Sequence, residues 1–244
     1  MRFDIITIFP EMFTASPLDF SLIGKASDKG LIEVNIHNLR DWTDDNHKTT
    51  DDAPYGGGAG MVMKAPPIAL ACDDLRKKSV GARVALMTPQ GRPLNHNLAR
   101  ELSGLPGLIV ICGRYEGVDE RVRELCSDYE ISIGDYVLTG GEIPAMALVD
   151  CVARLVPGVV SKEESIANDS HADGLLEHPH YTRPPEYRGL AAPEVLLSGH
   201  HEKIEKWRRE QSIIRTARRR PDLLEKAGLT DEERKMVTDI LADK

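Results

Sequence analysis

The sequence predicts an α/β fold with a mostly parallel sheet, followed by a smaller helical region. Three observations predict it. Apolar, β-branched runs alternate with stretches of helical length through the first two thirds of the chain, as in a parallel sheet covered by helices. The chain has 244 residues, of which 41% are hydrophobic, so it can bury a substantial core. Beyond residue 200 the pattern is helical and strongly charged.

The apolar spacing places the individual elements. Strands are predicted at 3–9, 31–36, 82–87 and 108–112, with a further strand inside 129–138. Helices are predicted at 17–30, 67–79, 95–102 and 142–155, from 201 onward, and as two short helices in 223–244. Thr230 and Glu233 have the spacing of an N-cap and its capping-box partner.

Changes in composition divide the chain. A polar stretch at 161–173 suits a linker, which predicts an α/β domain at 1–160 and a helical domain at 174–244. The apolar runs are far shorter than the roughly 20 residues that cross a bilayer, and the N-terminus lacks a signal-peptide pattern. We therefore expect a cytoplasmic protein. None of the four cysteines forms a Cys-x-x-Cys pair, which argues against a zinc ribbon or a thioredoxin-like site.

The net charge of −8 is unusual for a nucleic-acid binder, but the charge is unevenly spread. Residues 203–220 contain eight Lys or Arg residues and only two acids. Helical spacing puts Arg208, Ser212, Arg215 and Arg219 on one face, and Ile204, Trp207, Ile214 and Ala217 on another. The charged face could contact phosphates or could simply be solvated.

Three glycine-rich segments carry the candidate site. Residues 56–60 match neither a Walker A loop nor G-x-G-x-x-G, and they are either a flexible loop or a place where a ligand approaches the backbone. Residues 113–122 and 133–142 each follow a predicted strand and lead towards a helix. The carboxyl ends of strands are where α/β proteins bind ligands, although both segments could be ordinary charged loops.

The segments GRYEGVDERV and SIGDYVLTGGE resemble those of bacterial tRNA (guanine-N1)-methyltransferases of the SPOUT class. FDIITIFPEMF, PYGGGAGMVM, DGLLEHPHYTRP, LLSGHHEKIEKWR and RTARRRPDLL extend the resemblance over nearly the whole chain. The resemblance implies a trefoil knot in the C-terminal part of the α/β domain, with S-adenosylmethionine bent inside it. Knotted chains are rare, and the composition does not itself indicate one.

The resemblance also implies which residues hold the cofactor. These are Pro89, Gly113, Tyr115, Glu116, Ile133, Gly134, Asp135, Tyr136, Val137, Leu138, Gly140, Gly141 and Pro144. The residue types agree with this role, because backbone N–H and C=O groups freed at turns can bind an adenine edge and ribose hydroxyls.

Methylation of guanine N1 requires a general base, because that nitrogen carries a proton, and a donor for the charge that develops on O6. The resemblance implies Asp169 as the base and Arg154 as the O6 donor. Without the resemblance, Asp169 would be interpreted as a solvated loop carboxylate or an N-cap, and Arg154 as an ion-pair partner of Asp150. The chain departs from the family pattern at His171, Glu177 and His178, which leaves the local geometry open.

The resemblance further implies the substrate, the guanine at position 37 of tRNA beside the anticodon, and a homodimer whose active site is shared between subunits. We expect the C-terminal domain to contact the anticodon stem-loop through Ser198, His201, Arg208, Arg215 and Arg219. An association with Mg²⁺ is implied as well. No ligand set for a metal is evident in the sequence, including at His178, His180, His200 and His201.

Two alternatives stay open. One is a SPOUT methyltransferase that acts on another RNA site, such as a ribosomal base or a ribose hydroxyl. The other is a non-catalytic RNA-binding protein, which would bind RNA but not S-adenosylmethionine.

Overall fold

The computed structural model describes residues 1–161, 166 and 168–242. It divides into two compact units, Met1–Ser161 and Lys162–Lys244. Part of the predicted linker at 161–173 lies outside the described residues, and the predicted domain limits of 1–160 and 174–244 stay predictions.

The first unit is built on a five-stranded sheet. Its strands are β1 (Arg2–Thr7), β2 (Glu33–Asn38), β5 (Arg83–Pro93), β6 (Gly107–Cys112) and β7 (Tyr129–Ser132). They lie in the order β2-β1-β6-β5-β7, and every neighbouring pair is parallel, which confirms the predicted class. A short antiparallel pair, β3 (Asp51–Asp52) and β4 (Val62–Met63), lies outside this sheet.

Helices cover both faces of the sheet, as the continuous apolar strands require. These helices are α1 (Ser21–Asp28), α2 (Ala65–Lys78), α3 (His96–Ser103), α4 (Glu120–Cys126) and α5 (Glu142–Ala153). Leu108 and Val110 of β6 belong to a core cluster that includes residues of α1, α3 and α5. Ile109 and Ile111 belong to a second cluster that includes residues of α2 and α4.

Several predicted boundaries in this unit were wrong for local reasons. The helix predicted at 17–30 is interrupted, because a capping box between Ser16 and Asp19 closes a separate 3-10 turn at Pro17–Asp19 and Phe20 is extended. Strand β1 ends at Thr7, and Pro10 starts another 3-10 turn shortly after it. Strand β2 begins at Glu33 rather than at residue 31.

Strand β5 runs further than predicted because it contains a bulge. Met87 and Arg92 both pair with Ile131, so residues 88–91 are additional to the ladder. Gly91 permits this geometry, since a Cβ there would overlap the backbone of Glu130 and Ile131. Bulges commonly redirect side chains beside binding sites.

The second unit contains α6 (Glu194–Leu197), α7 (His201–Arg219) and α8 (Asp231–Ala242). It also contains a short hairpin that was not predicted, with strands β8 (Glu186–Tyr187) and β9 (Leu190–Ala191). The predicted capping box of α8 is confirmed, with Thr230 N–H donating to Glu233 Oε2 over 2.8 Å. Within the described part of 223–244, α8 is the one predicted helix that is present, since residues 224–230 before it form turns and irregular backbone.

The predicted faces of α7 need one correction. Ile204 and Ala217 are buried as expected, but Ile213 and Thr216 are buried in place of Ile214. Both α6 and α8 contact α7, so the buried side changes along this helix. Ile213 and Ala217 join Leu175, Leu224 and Ala227 in the core of this unit.

Candidate active site

The two glycine-rich loops after β6 and β7 meet at one cavity of about 390 Å³. The cavity lies at the carboxyl ends of β5, β6 and β7, where the chain leaves each strand and turns away from the sheet. Asp135 is exposed and does not line it, whereas the remaining twelve residues expected at the cofactor do: Pro89, Gly113, Tyr115, Glu116, Ile133, Gly134, Tyr136, Val137, Leu138, Gly140, Gly141 and Pro144.

Backbone contacts join the two loops directly. Gly141 N–H donates to Gly113 O over 2.8 Å, and Arg114 forms a bridge with Gly140. A Cβ at position 141 would lie 2.7 Å from Cys112 Cα, closer than real Cβ atoms approach a backbone atom. Glycine is therefore required at 141 by the close approach of the two chains.

A buried ion pair reinforces this junction. Arg114 Nε donates to Glu142 Oε2 over 2.8 Å, and the Glu142 side chain is 0% exposed. Glu142 Oε1 accepts a 2.7 Å hydrogen bond from Thr7 Oγ1, at the end of strand β1, which lies beside the central strand β6. The Arg114 guanidinium also lies 4.6 Å from the centre of the Phe9 ring. The arrangement ties the first loop to the start of α5 and to the sheet.

The segment at 56–63 supports the loop after β6. Glu116 N–H donates to Met61 O, and Met63 N–H donates to Gly117 O over 2.9 Å. Gly60 leaves room for the Glu116 side chain, which a Cβ would overlap. The glycine-rich segment 56–60 therefore leads into backbone that supports the loop after β6. Its sequence had suggested either a flexible loop or a place where a ligand approaches the backbone.

The opposite wall comes from the bulge in β5, where Thr88 and Gln90 join Pro89 at the cavity. Arg123 of α4 donates to Gln90 Oε1 over 2.8 Å and also pairs with Glu130 of β7. The sequence offered no signal for Gln90. Arg114 and Glu142 did stand inside the recognisable segments, but were not singled out.

Exposed apolar surface surrounds the cavity. Val137 is 81% exposed and Tyr136 55% exposed, and Leu138 is also exposed. Tyr115 has a left-handed backbone with φ of 61°, a strained conformation that is concentrated at functional sites. Clustered apolar side chains in solvent are typical of a surface that a ligand or partner covers.

Two ionisable groups that lie next to cavity-lining residues in the chain, Cys112 and Asp119, have contrasting states. Burial raises the pKa of the Cys112 thiol well above its usual range, and the Glu142 carboxylate adds to this effect. Cys112 is therefore a neutral thiol and not a nucleophile. A hydrogen bond from Arg121 lowers the pKa of Asp119 to about 2, so this N-cap of α4 stays charged.

The two expected catalytic residues lie in different units. Arg154 directly follows α5, and its backbone N–H donates to Asp150 O, so it stands at the C-cap and not inside the helix. Asp169 lies in a turn that precedes Leu175, and its carbonyl accepts from Ala172 N–H over 3.1 Å. Asp169 lines a second cavity, of about 150 Å³, together with His178, Arg208 and other residues of the second unit.

The positions that depart from the family pattern lie near Asp169 along the chain. His171 has a left-handed backbone, with φ of 77°, and its N–H donates to Leu175 O over 2.7 Å. Glu177 lines the cavity of Asp169 and pairs with His180 Nε2 over 2.8 Å.

The residues expected at RNA lie on α7 or just before it. Ser198, His201 and Arg219 are exposed, and Arg208 and Arg215 partly so. Arg208 pairs with Glu205 over 2.6 Å. Arg209 is used differently, because it binds Glu233, Asp173 and the carbonyl of Gly228 and so joins three parts of the second unit.

Within residues 1–161, 166 and 168–242, no group of three or more His, Cys, Asp or Glu side chains is arranged to hold a metal. Over the same residues, no helix is both long enough and apolar enough to cross a membrane.

Comparison with known proteins gives a consistent result. The family model of tRNA (Guanine-1)-methyltransferase TrmD matches residues 1–226. The chain is 59% identical over 240 residues to a protein of Geotalea uraniireducens (strain Rf4), covering 98% of this chain and 97% of the relative. It is 57% identical over 240 residues to one of Geobacter sp. (strain M21), covering 98% and 96%.

A third relative, from Dehalococcoides mccartyi (strain ATCC BAA-2266 / KCTC 15142 / 195), is 53% identical over 244 residues, covering 100% of this chain and 98% of the relative. All three relatives are named tRNA (guanine-N(1)-)-methyltransferase. The chain is therefore an enzyme, a member of the tRNA (guanine-1)-methyltransferase family.

Proposed function

We propose that this enzyme uses S-adenosylmethionine to methylate N1 of the guanine at position 37 of tRNA. One observation carries the proposal: in a chain of this family, the loops expected to hold the cofactor converge on a single cavity at the carboxyl ends of three parallel strands. This is the edge at which open α/β sheets bind ligands.

The residues present fit S-adenosylmethionine. A cavity of about 390 Å³ is within the range of small-molecule sites. Its wall combines backbone polar groups of 133–141 with the apolar side chains of Leu138 and Pro144, which suits a purine ring carried on a polar ribose. Mg²⁺ is different, because the described residues offer no ligand cluster for it.

The bound cofactor supplies an electrophilic methyl group. The chain's residues must then orient guanine in line with that methyl, and such positioning contributes roughly 7–11 kcal/mol in favourable cases. Asp169 accepts the N1 proton, a contribution of about 10²–10⁴-fold. Arg154 donates to O6 as negative charge grows there, and removing one such donor costs about 3 kcal/mol.

We further propose a homodimer in which the cavity of one subunit and Asp169 of the other form each active site. The support for this dimer is the family resemblance that also assigns Asp169 and Arg154 their roles. The C-terminal unit would then bind the anticodon stem-loop through the exposed face of α7.

The test is to incubate the protein with labelled S-adenosylmethionine and unmodified tRNA transcript, and to map the labelled nucleotide. We expect the label on N1 of the guanine at position 37. We expect Asp169→Asn to lose at least a hundredfold in kcat, whereas the control Asp28→Asn, an exposed carboxylate at the end of α1, keeps its activity.

The outcomes separate the alternatives. Label on a ribose, or activity that survives Asp169→Asn, would indicate a different RNA target. A protein that binds tRNA but shows no affinity for S-adenosylmethionine in calorimetry would be a non-catalytic RNA binder.

A further inference from the structure

Four aromatic rings lie together in the second unit. The ring centres of His178 and His180 are 4.5 Å apart. The Trp207 ring lies 6.4 Å from His178 and 6.4 Å from Tyr181. Trp207 of α7 therefore contacts the rings of His178 and Tyr181, and His180 contacts His178; we call these four residues the aromatic cluster.

This cluster is not part of the unit's core. Among residues 168–242, the core groups around Leu175, Ile213 and Ala217, and the four rings are not members of it. Tyr181 is 51% exposed, and the His180 side chain is 63% exposed. Trp207 and His178 are half-buried.

The two histidine rings of the cluster have polar contacts that hold them in place. His180 Nε2 lies 2.8 Å from Glu177 Oε1, and His178 Nδ1 lies 3.2 Å from Pro179 O. A surface that is already ordered loses less conformational entropy when it binds a flat partner.

The cluster adjoins the cavity that contains Asp169. His178 lines that cavity and is also a member of the cluster, and Arg208 lies on the cavity wall beside Trp207 in sequence. Among the described residues, Arg208 Nε is the buried side-chain polar atom that has no hydrogen-bond partner. Arg208, the Asp169 carboxylate and the His178 ring therefore line one small cavity, and His178 joins that cavity to the rest of the aromatic cluster.

We propose that the aromatic cluster stacks one unpaired nucleobase of the tRNA anticodon loop, next to the guanine that Asp169 serves. The inference rests on the proposed function. Proteins recognise single-stranded RNA by stacking splayed bases on Tyr, Trp and His rings, and Arg side chains nearby neutralise phosphates. The basic side chains that such phosphates need are present on α7, where Lys203, Lys206 and Arg208 lie on either side of Trp207 in the sequence.

The chain offers a direct reporter for this contact. It has only two tryptophans, Trp42 and Trp207, so Trp42→Phe leaves Trp207 as the sole indole. The emission of this variant is titrated with an anticodon stem-loop RNA and with a fully paired RNA duplex of similar length. We expect quenching by the stem-loop at saturation and little change with the duplex. An unchanged emission when the stem-loop is bound, as measured by filter binding, would overturn the proposal.

Substitutions give a second test. Base–aromatic stacking supports a loss of roughly tenfold or more in RNA affinity on truncation to alanine. We expect Trp207→Ala and Tyr181→Ala to raise the KM for tRNA by that factor, and Trp207→Phe to restore most of it. The control is Tyr187→Ala, since Tyr187 is also exposed in this unit but lies in the β8–β9 hairpin.

A folding defect is distinguished by cofactor affinity, which both alanine variants should leave unchanged, and by thermal unfolding, which Tyr181→Ala should leave unchanged. Tyr181→Ala is the safer variant, because its ring is the more exposed of the two. If tRNA is methylated at the expected position and the KM for tRNA does not respond to either variant, the cluster is structural and the inference fails alone. If no tRNA is bound or methylated, the proposed function fails with it.

Discussion

The ion pair between Arg114 and Glu142 is the contact on which the shape of the cavity should depend most strongly. The substitution Glu142→Gln tests it with almost no change in side-chain volume. A glutamine can still accept from Arg114 Nε, and its amide can still reach Thr7 Oγ1. What the substitution removes is the negative charge, and it leaves the Arg114 guanidinium, whose side chain is only 15% exposed, without a counter-ion at 2.8 Å.

The expected magnitude follows from that burial. Unit charges about 4 Å apart attract by about 4 kcal/mol at an effective dielectric constant near 20. Breaking a buried pair on one side costs about 3–5 kcal/mol. Because glutamine keeps the hydrogen bonds, we expect the free energy of unfolding to fall by the lower end of this range, about 3 kcal/mol. For a unit of this size, roughly 2–4 °C per kcal/mol gives a fall in Tm of about 6–12 °C.

The assays are thermal unfolding and calorimetric titration with S-adenosylmethionine. We expect the lower Tm together with an affinity at least tenfold weaker, since the freed loop after β6 forms one wall of the cavity. The matched control is Glu33→Gln, which removes the partner of Arg2 over 3.2 Å at an exposed site where such pairs contribute about 0–1 kcal/mol. A Glu142→Gln protein with the Tm and affinity of that control would refute the reasoning.

Three further changes test other parts of the structure. Gly141→Ala places a Cβ 2.7 Å from Cys112 Cα, so calorimetry should show cofactor binding weakened at least tenfold, while Gly104→Ala, whose Cβ would lie 3.5 Å from its nearest neighbour, should bind normally. Burial alone would raise the pKa of the Asp4 carboxyl, but hydrogen bonds from the neighbouring His and Arg lower it below its ordinary value. A lowered carboxyl pKa contributes stability above about pH 4 that is lost on acidification, so urea unfolding should show Asp4→Asn to be less stable near pH 7 and less sensitive to acid than the parent protein. The hydroxyl of the buried Thr216 accepts a backbone hydrogen bond over 2.8 Å, so Thr216→Val should lower the free energy of unfolding of the second unit by about 1–3 kcal/mol in hydrogen exchange, with no change at the cofactor cavity.

Elements with a strong local signal were predictable from the sequence. The predicted strand at 108–112 and the predicted helix at 67–79 agree closely with the observed elements, because a long apolar pattern outweighs local exceptions. The capping box at Thr230 was predictable because it depends on residues three positions apart. Boundaries failed where a non-local or stereochemical constraint intervened, as at the capped 3-10 turn before α1 and at the bulge in β5.

The sequence by itself determined the α/β class, the order of the elements and, through its recognisable segments, the family and the residues expected at the cofactor. Tertiary structure alone decided which distant residues meet. Thr7 reaches Glu142 across 135 positions of the chain, and four residues of the β5 bulge bring Gln90 to the cavity wall. Local patterns record only which face of a strand or helix is apolar. The buried charge of Glu142 is compensated by groups from other loops, and such long-range pairing leaves no periodic trace in the sequence.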